Sequence, residues 1–150
     1  MPTSLNAESF GPATALRCRE CGTDYALGAA YSCMECFGPL EVAYDFGTVT
    51  REQIEAGPNN MWRYAPLLPV AKWVADEPNL NPGFTKLIKA DNLAAALGMT
   101  GTLWVKDDSG NPTHSFKDRV VAVAQHAARR LGRTTLACAS TGNLANAVAA

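Results

Sequence analysis

The chain has no apolar run of 18 residues, and that excludes a helical membrane span. It also has almost no net charge: 13 Lys and Arg stand against 14 Asp and Glu, for a formal charge of -1. With a pI near 6.1, it is not built as a general nucleic-acid or membrane-surface binder. Met1–Ala15 carries no basic segment followed by an apolar one, so no secretory signal is evident and a cytoplasmic setting is the default expectation. Internal repeats and low-complexity tracts are absent. A helix stop is missing too: Ala147-Val148-Ala149-Ala150 offers no Gly, Pro or basic residue, so the sequence reads as the front part of a longer protein. What remains is ordinary globular material, 47% hydrophobic and 18% charged, enough for one core.

Four of the five cysteines fall in two C-x-x-C knuckles, Cys18/Cys21 and Cys33/Cys36, eleven residues apart. That is metal-ligand spacing, and Gly22 permits the tight turn after the first knuckle. Tyr25–Tyr31 reads as a short hairpin turning near Gly28, and Glu41–Tyr44 can add a third strand. The expected module, residues 16–46, is a small zinc ribbon, too short to hold together by core burial alone. Sulfur ligands suit zinc, with iron the lesser alternative; two disulfides or four free thiols are the other readings. A ribbon can also be an interaction module. Here Arg17 and Arg19 are countered by Glu20, Asp24, Glu35, Glu41 and Asp45, an acidic balance that disfavours nucleic acid and favours a structural role. Cys138, in an apolar stretch, reads as a small buried residue.

Asn111-Pro112-Thr113-His114-Ser115-Phe116-Lys117-Asp118-Arg119 follows a strand-like run, Gly101–Lys106, and opens a helix running to Gly132. Pro112 keeps Asn111 out of the helical region. Ser115 and Asp118 stand at capping-box spacing, which predicts a helix start at Phe116 and puts Lys117 in the first turn. The positive end of the helix dipole disfavours a cation there. Either Lys117 is a surface lysine balanced by Asp118, or the field favours its free amine as a nucleophile toward a carbonyl.

Thr50-Arg51-Glu52-Gln53 is a second capping box, opening a short helix ended by Gly57-Pro58. Met61–Val70, aromatic and proline-punctuated, reads as a linker with apolar anchors that dock on something. Residues 75–83 form a loop. Asp91 or Asn92 caps a helix through Leu97 to Gly98. Thr134–Ala139 is β-prone and is broken by Ser140-Thr141-Gly142-Asn143 ahead of a small-residue helix from Leu144. This loop is either an anion site, with free N–H groups and hydroxyls, or a simple helix cap. Strand and helix alternate, which predicts parallel pairing with right-handed crossovers.

The phrase Asn-Pro-Thr-x-Ser-Phe-Lys-Asp-Arg resembles the cofactor-lysine motif of the fold-type II pyridoxal-phosphate enzymes, most closely the threonine synthases. Trp62-Arg63-Tyr64…Leu67-Leu68-Pro69 resembles the lead-in to their catalytic domain, and Ser140–Asn143 their carboxylate loop. Two departures stand out: His114 where glycine is common, and Lys86 where Gly-x-Thr-Pro-Leu has proline. The resemblance implies an incomplete α/β domain of tryptophan synthase β-like fold over 84–150, preceded by a tail (1–15), the ribbon and a linker (47–83). It implies that Lys117 carries pyridoxal 5'-phosphate as a Schiff base, with Phe116 and Asn143 at the cofactor. Ser140, Thr141, Gly142 and Thr85 would then contact substrate, and Lys86 either meets a substrate phosphate or is a solvated lysine.

The implied reaction turns O-phospho-L-homoserine, a small amino-acid phosphate, and water into L-threonine and phosphate. Threonine dehydratase, diaminopropionate lyase or cysteate synthase chemistry is the alternative within the family. A non-enzymatic ribbon module is the alternative outside it. The resemblance leaves room for a homodimer of the full-length protein, and places the glycine-rich phosphate loop and the pyridine-nitrogen partner beyond these residues.

Overall fold

The computed structural model describes residues 10–70 and 80–150, and everything below concerns these. The first unit is a three-stranded antiparallel sheet of order β2-β1-β3: β1 (Ala13–Cys18), β2 (Asp24–Tyr25) and β3 (Leu40–Tyr44). In β1, Arg17 stands opposite both Asp24 and Glu41. It takes Asp24 as a bidentate partner at 2.7 and 2.9 Å. The sheet begins at Ala13, inside the stretch expected to be a tail; residues 1–9 of that tail lie outside the described residues.

The hairpin expected at Gly28 does not form. β1 instead turns into β2 across the Cys21-Gly22 knuckle, and the Tyr25 side chain is drawn to the second knuckle. β3 forms where the third strand was expected. Gly11 starts β1 at φ 57°, and a Cβ there would lie 2.3 Å from the Val70 carbonyl oxygen, so the ribbon's edge is fitted against the end of the linker.

The linker carries α1 (Arg51–Glu55), opened by a complete capping box: Thr50 accepts from the Gln53 N–H, and the Gln53 side chain accepts from the Thr50 N–H. A 3₁₀ helix, Met61–Leu67, follows with Asn60 as its cap. Its first two residues anchor the core. Met61 and Trp62 bury with Val70 and Ala122, and Ala65, Leu68 and Val123 close around them. The apolar anchors thus dock on the lysine-bearing helix. Of the loop expected over 75–83, residues 75–79 lie outside the described residues.

The second unit contains β4 (Lys86–Lys89), α2 (Asp91–Ala96), β5 (Trp104–Asp107), α3 (Lys117–Arg130) and α4 (Asn143–Ala149). β4, in a stretch the sequence did not mark as a strand, pairs antiparallel with β5, Lys86 opposite Asp107 and Lys89 opposite Trp104. The physical reason is the short connection. α2 spans only six residues, and the Ala90 N–H bonds the Leu103 carbonyl, so the chain folds back beside β4 instead of crossing over.

Neither Asp91 nor Asn92 caps α2: its N-cap is Ala90, and Asp91 pairs with Lys89 at 3.1 Å. α3 is amphipathic, burying Val121, Ala122 and His126, and it ends on Arg129 and Arg130 with Gly132 at φ 68°. Residues 134–139 form no strand. They are exposed and have no ladder partner among the described residues, and β-propensity without a partner does not make a sheet. Cys138, expected buried, is exposed for the same reason. No helix among the described residues is long and apolar enough to cross a membrane.

Candidate active site and metal centre

Lys117 is the first residue of α3. The expected capping box is not formed, and the helix starts one residue later than predicted. Asp118, only 2% exposed, turns its carboxylate away from the cap and accepts from both the Thr113 N–H, at 2.8 Å, and the Thr113 hydroxyl. Ser115 accepts the Lys117 N–H at 3.2 Å. The segment between is a tight turn in which His114 sits at φ 59°. That is the left-handed region where glycine is the easy occupant, a physical reason for glycine at this position in similar motifs. The His114 Nδ1 lies 2.7 Å from the Ser109 carbonyl. Because a carbonyl only accepts, Nδ1 carries the proton.

The Lys117 Nζ lies over the Phe116 ring, 4.3 Å from its centroid. No carboxylate among the described residues pairs with it, which leaves the amine available to a carbonyl group. The donor set therefore fits an aldehyde cofactor.

Two residues on from the lysine, Arg119 makes a forked pair with Asp108, at 2.8 and 2.9 Å, and donates to the Thr85 hydroxyl at 3.2 Å. Thr85 in turn donates to Asp108 at 2.7 Å. The carbonyl of Thr85 accepts from the Lys106 Nζ. Asn111, almost fully buried, accepts from the Gly83 N–H at 2.9 Å and donates to the Asp108 carbonyl at 3.1 Å. These polar links tie the chain before β4, the turn after β5 and the first turn of α3 together. Above them lies an open cleft of about 640 Å³, lined by Met61, Tyr64, Phe84, Thr85, Lys106 and Arg119 among others.

Sequence reasoning missed this network. Nothing in the spacing pairs Asp108 with Arg119 eleven positions on. A forked pair needs a carboxylate and an arginine facing each other, and only the antiparallel return of β5 provides that.

Ser140, Thr141, Gly142 and Asn143 form the entry to α4, with Gly142 as its N-cap and its N–H 3.3 Å from the Ser140 hydroxyl. Thr141, Gly142 and Asn143 are exposed, and a Cβ on Gly142 would meet nothing within 4 Å. The loop is thus open enough to admit a carboxylate. α4 packs on α3, but no hydrogen bond of the described residues joins this loop to Lys117. Lys86 is exposed at the start of β4, opposite Asp107.

The four knuckle cysteines converge. Their sulfurs lie within 4.8 Å of one another, with Cys18–Cys36 and Cys21–Cys33 both at 3.5 Å. Disulfide bonding needs about 2.05 Å, whereas four thiolates around a tetrahedral zinc stand about 3.8 Å apart, from Zn–S bonds of about 2.3 Å. All four are free thiols. The two knuckles repeat one geometry. In each, the residue after the second cysteine sits at positive φ, Gly22 at 76° and Phe37 at 61°, and returns its N–H to the first cysteine's carbonyl at 3.0 Å.

Electrostatics divide the sulfurs. The Tyr25 hydroxyl, 3.0 Å from Cys33, holds that thiol down to about 6. Cys36 is pushed up to about 12: the Gly38 amide opposes the rise, and the sulfurs of Cys18 and Cys21 outweigh it. Four sulfurs this close carry full negative charge together only around a cation. These residues fit a metal ion.

Parts of the chain, the lysine segment among them, are similar to known proteins. Residues 79–150 match the family model described as "Pyridoxal-phosphate dependent enzyme". The chain is 41% identical over 138 residues to a threonine synthase of Methanosarcina acetivorans, covering 89% of this chain and 33% of that protein. For a threonine synthase of Methanocaldococcus jannaschii the identity is 38% over 138 residues, covering 89% and 34%. A threonine synthase of Synechocystis is 41% identical over 87 residues, 58% of this chain and 22% of the relative. The chain spans about a third of the length of the first two relatives. No solved structure matches. With its lysine motif at the head of α3, the segment 79–150 is similar to the pyridoxal-phosphate dependent enzymes, and threonine synthases are among the proteins the chain resembles.

Proposed function

We propose that this chain forms the cofactor-lysine portion of a threonine synthase, an enzyme that converts O-phospho-L-homoserine and water to L-threonine and phosphate. The observation that carries the reading is Lys117 at the first turn of α3 with an amine that no described carboxylate pairs, inside a segment similar to threonine synthases over most of its length. Lys117 would hold pyridoxal phosphate through Nζ, with the Phe116 ring beside it. When bound, the cofactor supplies an electron sink that makes a carbanion next to the substrate amine accessible. With its amine freed when the substrate's amine takes its place on the cofactor, Lys117 would act as the base and acid that moves the protons at Cα and Cβ. Phosphate would leave from Cγ, which takes up a proton in its place, and water would add at Cβ. Ser140, Thr141 and Gly142 hold the substrate carboxylate through hydroxyls and a backbone free of side-chain crowding, and Asn143 contacts the cofactor ring.

In the same reading the four cysteines hold a structural zinc that closes a ribbon against the linker. The test is borohydride reduction of the whole, cofactor-loaded protein, followed by peptide mapping and a phosphate-release assay. The expected result is label on Lys117 and equal amounts of threonine and phosphate. Replacing Lys117 with Ala should lower turnover by about 10³-fold or more, on the scale of a lost acid–base group. Label on another lysine would overturn the assignment of Lys117. A labelled Lys117 without phosphate release would move the protein to another reaction of the family.

A further inference from the structure

We propose that Arg119, Asp108 and Thr85 form a clamp that aims Lys117, and that Arg119 and Thr85 are positioning residues rather than ligand contacts. This rests on the reading of Lys117 as the cofactor-bearing residue. Successive residues in an α-helix project about 100° apart, so Lys117, Asp118 and Arg119 point in three directions around the first turn. Two of the three are tethered. Asp118 is tied to Thr113, and Arg119 is tied to Asp108 and Thr85. Two tethers on different sides fix the rotation of α3 about its axis, and that leaves one direction for Lys117.

Arg119 lines the open cleft and would ordinarily suggest a substrate-phosphate contact. Its guanidinium fork, however, is closed on the Asp108 carboxylate, with a further bond to Thr85. The Thr85 hydroxyl is spent as well, donating to Asp108 while accepting from Arg119. Neither side chain has its main donor free for a ligand. Lysine cannot reproduce the fork, so Arg119→Lys keeps the charge and breaks the clamp. Thr85→Val keeps the shape and removes the hydroxyl, whereas Thr85→Ser restores it.

The experiment uses the whole, cofactor-loaded protein and reads two signals. One is the circular dichroism of the cofactor's visible band, which reports how the ring is held. The other is kcat and KM for phosphate release from O-phosphohomoserine. Arg119→Lys and Thr85→Val should each weaken the dichroism by half or more. They should lower kcat by about ten- to a hundredfold, the scale of a small misplacement of reacting groups, with KM within about threefold. Thr85→Ser should recover both signals, and the double variant should be no worse than the worse single one.

A tenfold rise in KM at unchanged kcat in either variant would overturn the proposal, because that is the mark of a lost ligand contact. Unchanged dichroism and kcat would overturn it too, since the clamp would then only support the fold. Wild-type protein that binds cofactor but releases no phosphate would fail the threonine synthase reading alone. The dichroism would still decide the clamp.

Discussion

The cysteine unit and the lysine unit are held together by opposite means. Residues 10–46 have a small sheet whose sequence-distant edges meet at four sulfurs, and the two innermost, Cys18 and Cys33, are fully buried. The tips of this unit can therefore afford exposed apolar groups such as Tyr31 and Met34 without harm to its closure. In the lysine unit, β4 and β5 leave Leu87, Ile88, Trp104 and Val105 all exposed. A two-stranded ribbon with open apolar faces is marginal by itself, and here it is held by polar ties from Thr85 and Asp108 to Arg119 of α3. One unit is closed by a local staple; the other depends on buried polar bonds and on what covers its strands. The proposed function follows the division: the cysteine-closed unit would supply rigidity, and the tied one would carry the reactive amine.

Removing the metal separates the two most strongly. With the whole protein at neutral pH, elemental analysis should give one zinc per chain, and Cys33→Ser should abolish it. Structural zinc is worth on the order of 10 kcal/mol to small ribbons. A strong chelator should then raise amide exchange throughout 13–44 while α3 keeps its protection. If α3 loses protection in step, the two units are one cooperative body and the contrast falls. If the protein holds no zinc, the ribbon reading fails with it.

Trp62→Ala cuts the other way. Trp62 is 4% exposed, packed with Met61, Val70 and Ala122, and its ring lies 6.2 Å from that of His126. Truncating a buried aromatic costs about 3–5 kcal/mol. The urea midpoint of the lysine unit should fall accordingly, with zinc content unchanged. Thr50→Ala, which removes one half of the capping box, should cost about 1 kcal/mol and melt α1 locally, visible as faster exchange at Ile54 and Ala56.

What could be read in the sequence was what is local. Two C-x-x-C knuckles need only short turns to bring four sulfurs together, and Thr50 and Gln53 form both capping bonds because their spacing alone sets the geometry. Trp62 announced itself as an anchor by being aromatic in a proline-marked linker. The same local reasoning misplaced Asp118, because Thr113, held in place by the Pro112 turn, offers its carboxylate two donors where the cap would offer one. It also made a strand of 134–139 and buried Cys138 there, since propensity is silent about a partner strand. The direction of β5 and the pairing of Asp108 with Arg119 depend on how the chain returns after α2, and no spacing in the sequence encodes that. Lys117 was legible as a motif, whereas the clamp that aims it was not.

The smallest effect compares the units residue for residue, at one bulky left-handed side chain in each. Phe37, at φ 61°, closes the second knuckle, and His114, at φ 59°, precedes the lysine. Such a conformation costs a side chain about 1–2 kcal/mol relative to glycine. Phe37 is 81% exposed, so Phe37→Gly sacrifices little packing and should stabilise the zinc-loaded protein by about 1 kcal/mol. His114→Gly gains the same relief but loses the Nδ1–H bond to the Ser109 carbonyl, worth about 1 kcal/mol, so its net effect should lie near zero. His114→Ala loses the bond and keeps the strain, and should fall about 1 kcal/mol below His114→Gly. Urea midpoints of the three variants against wild type decide it. Equal gains at Phe37 and His114 would show that the histidine bond contributes nothing; a loss at Phe37→Gly would show that the knuckle's exposed ring packs on something the ribbon needs.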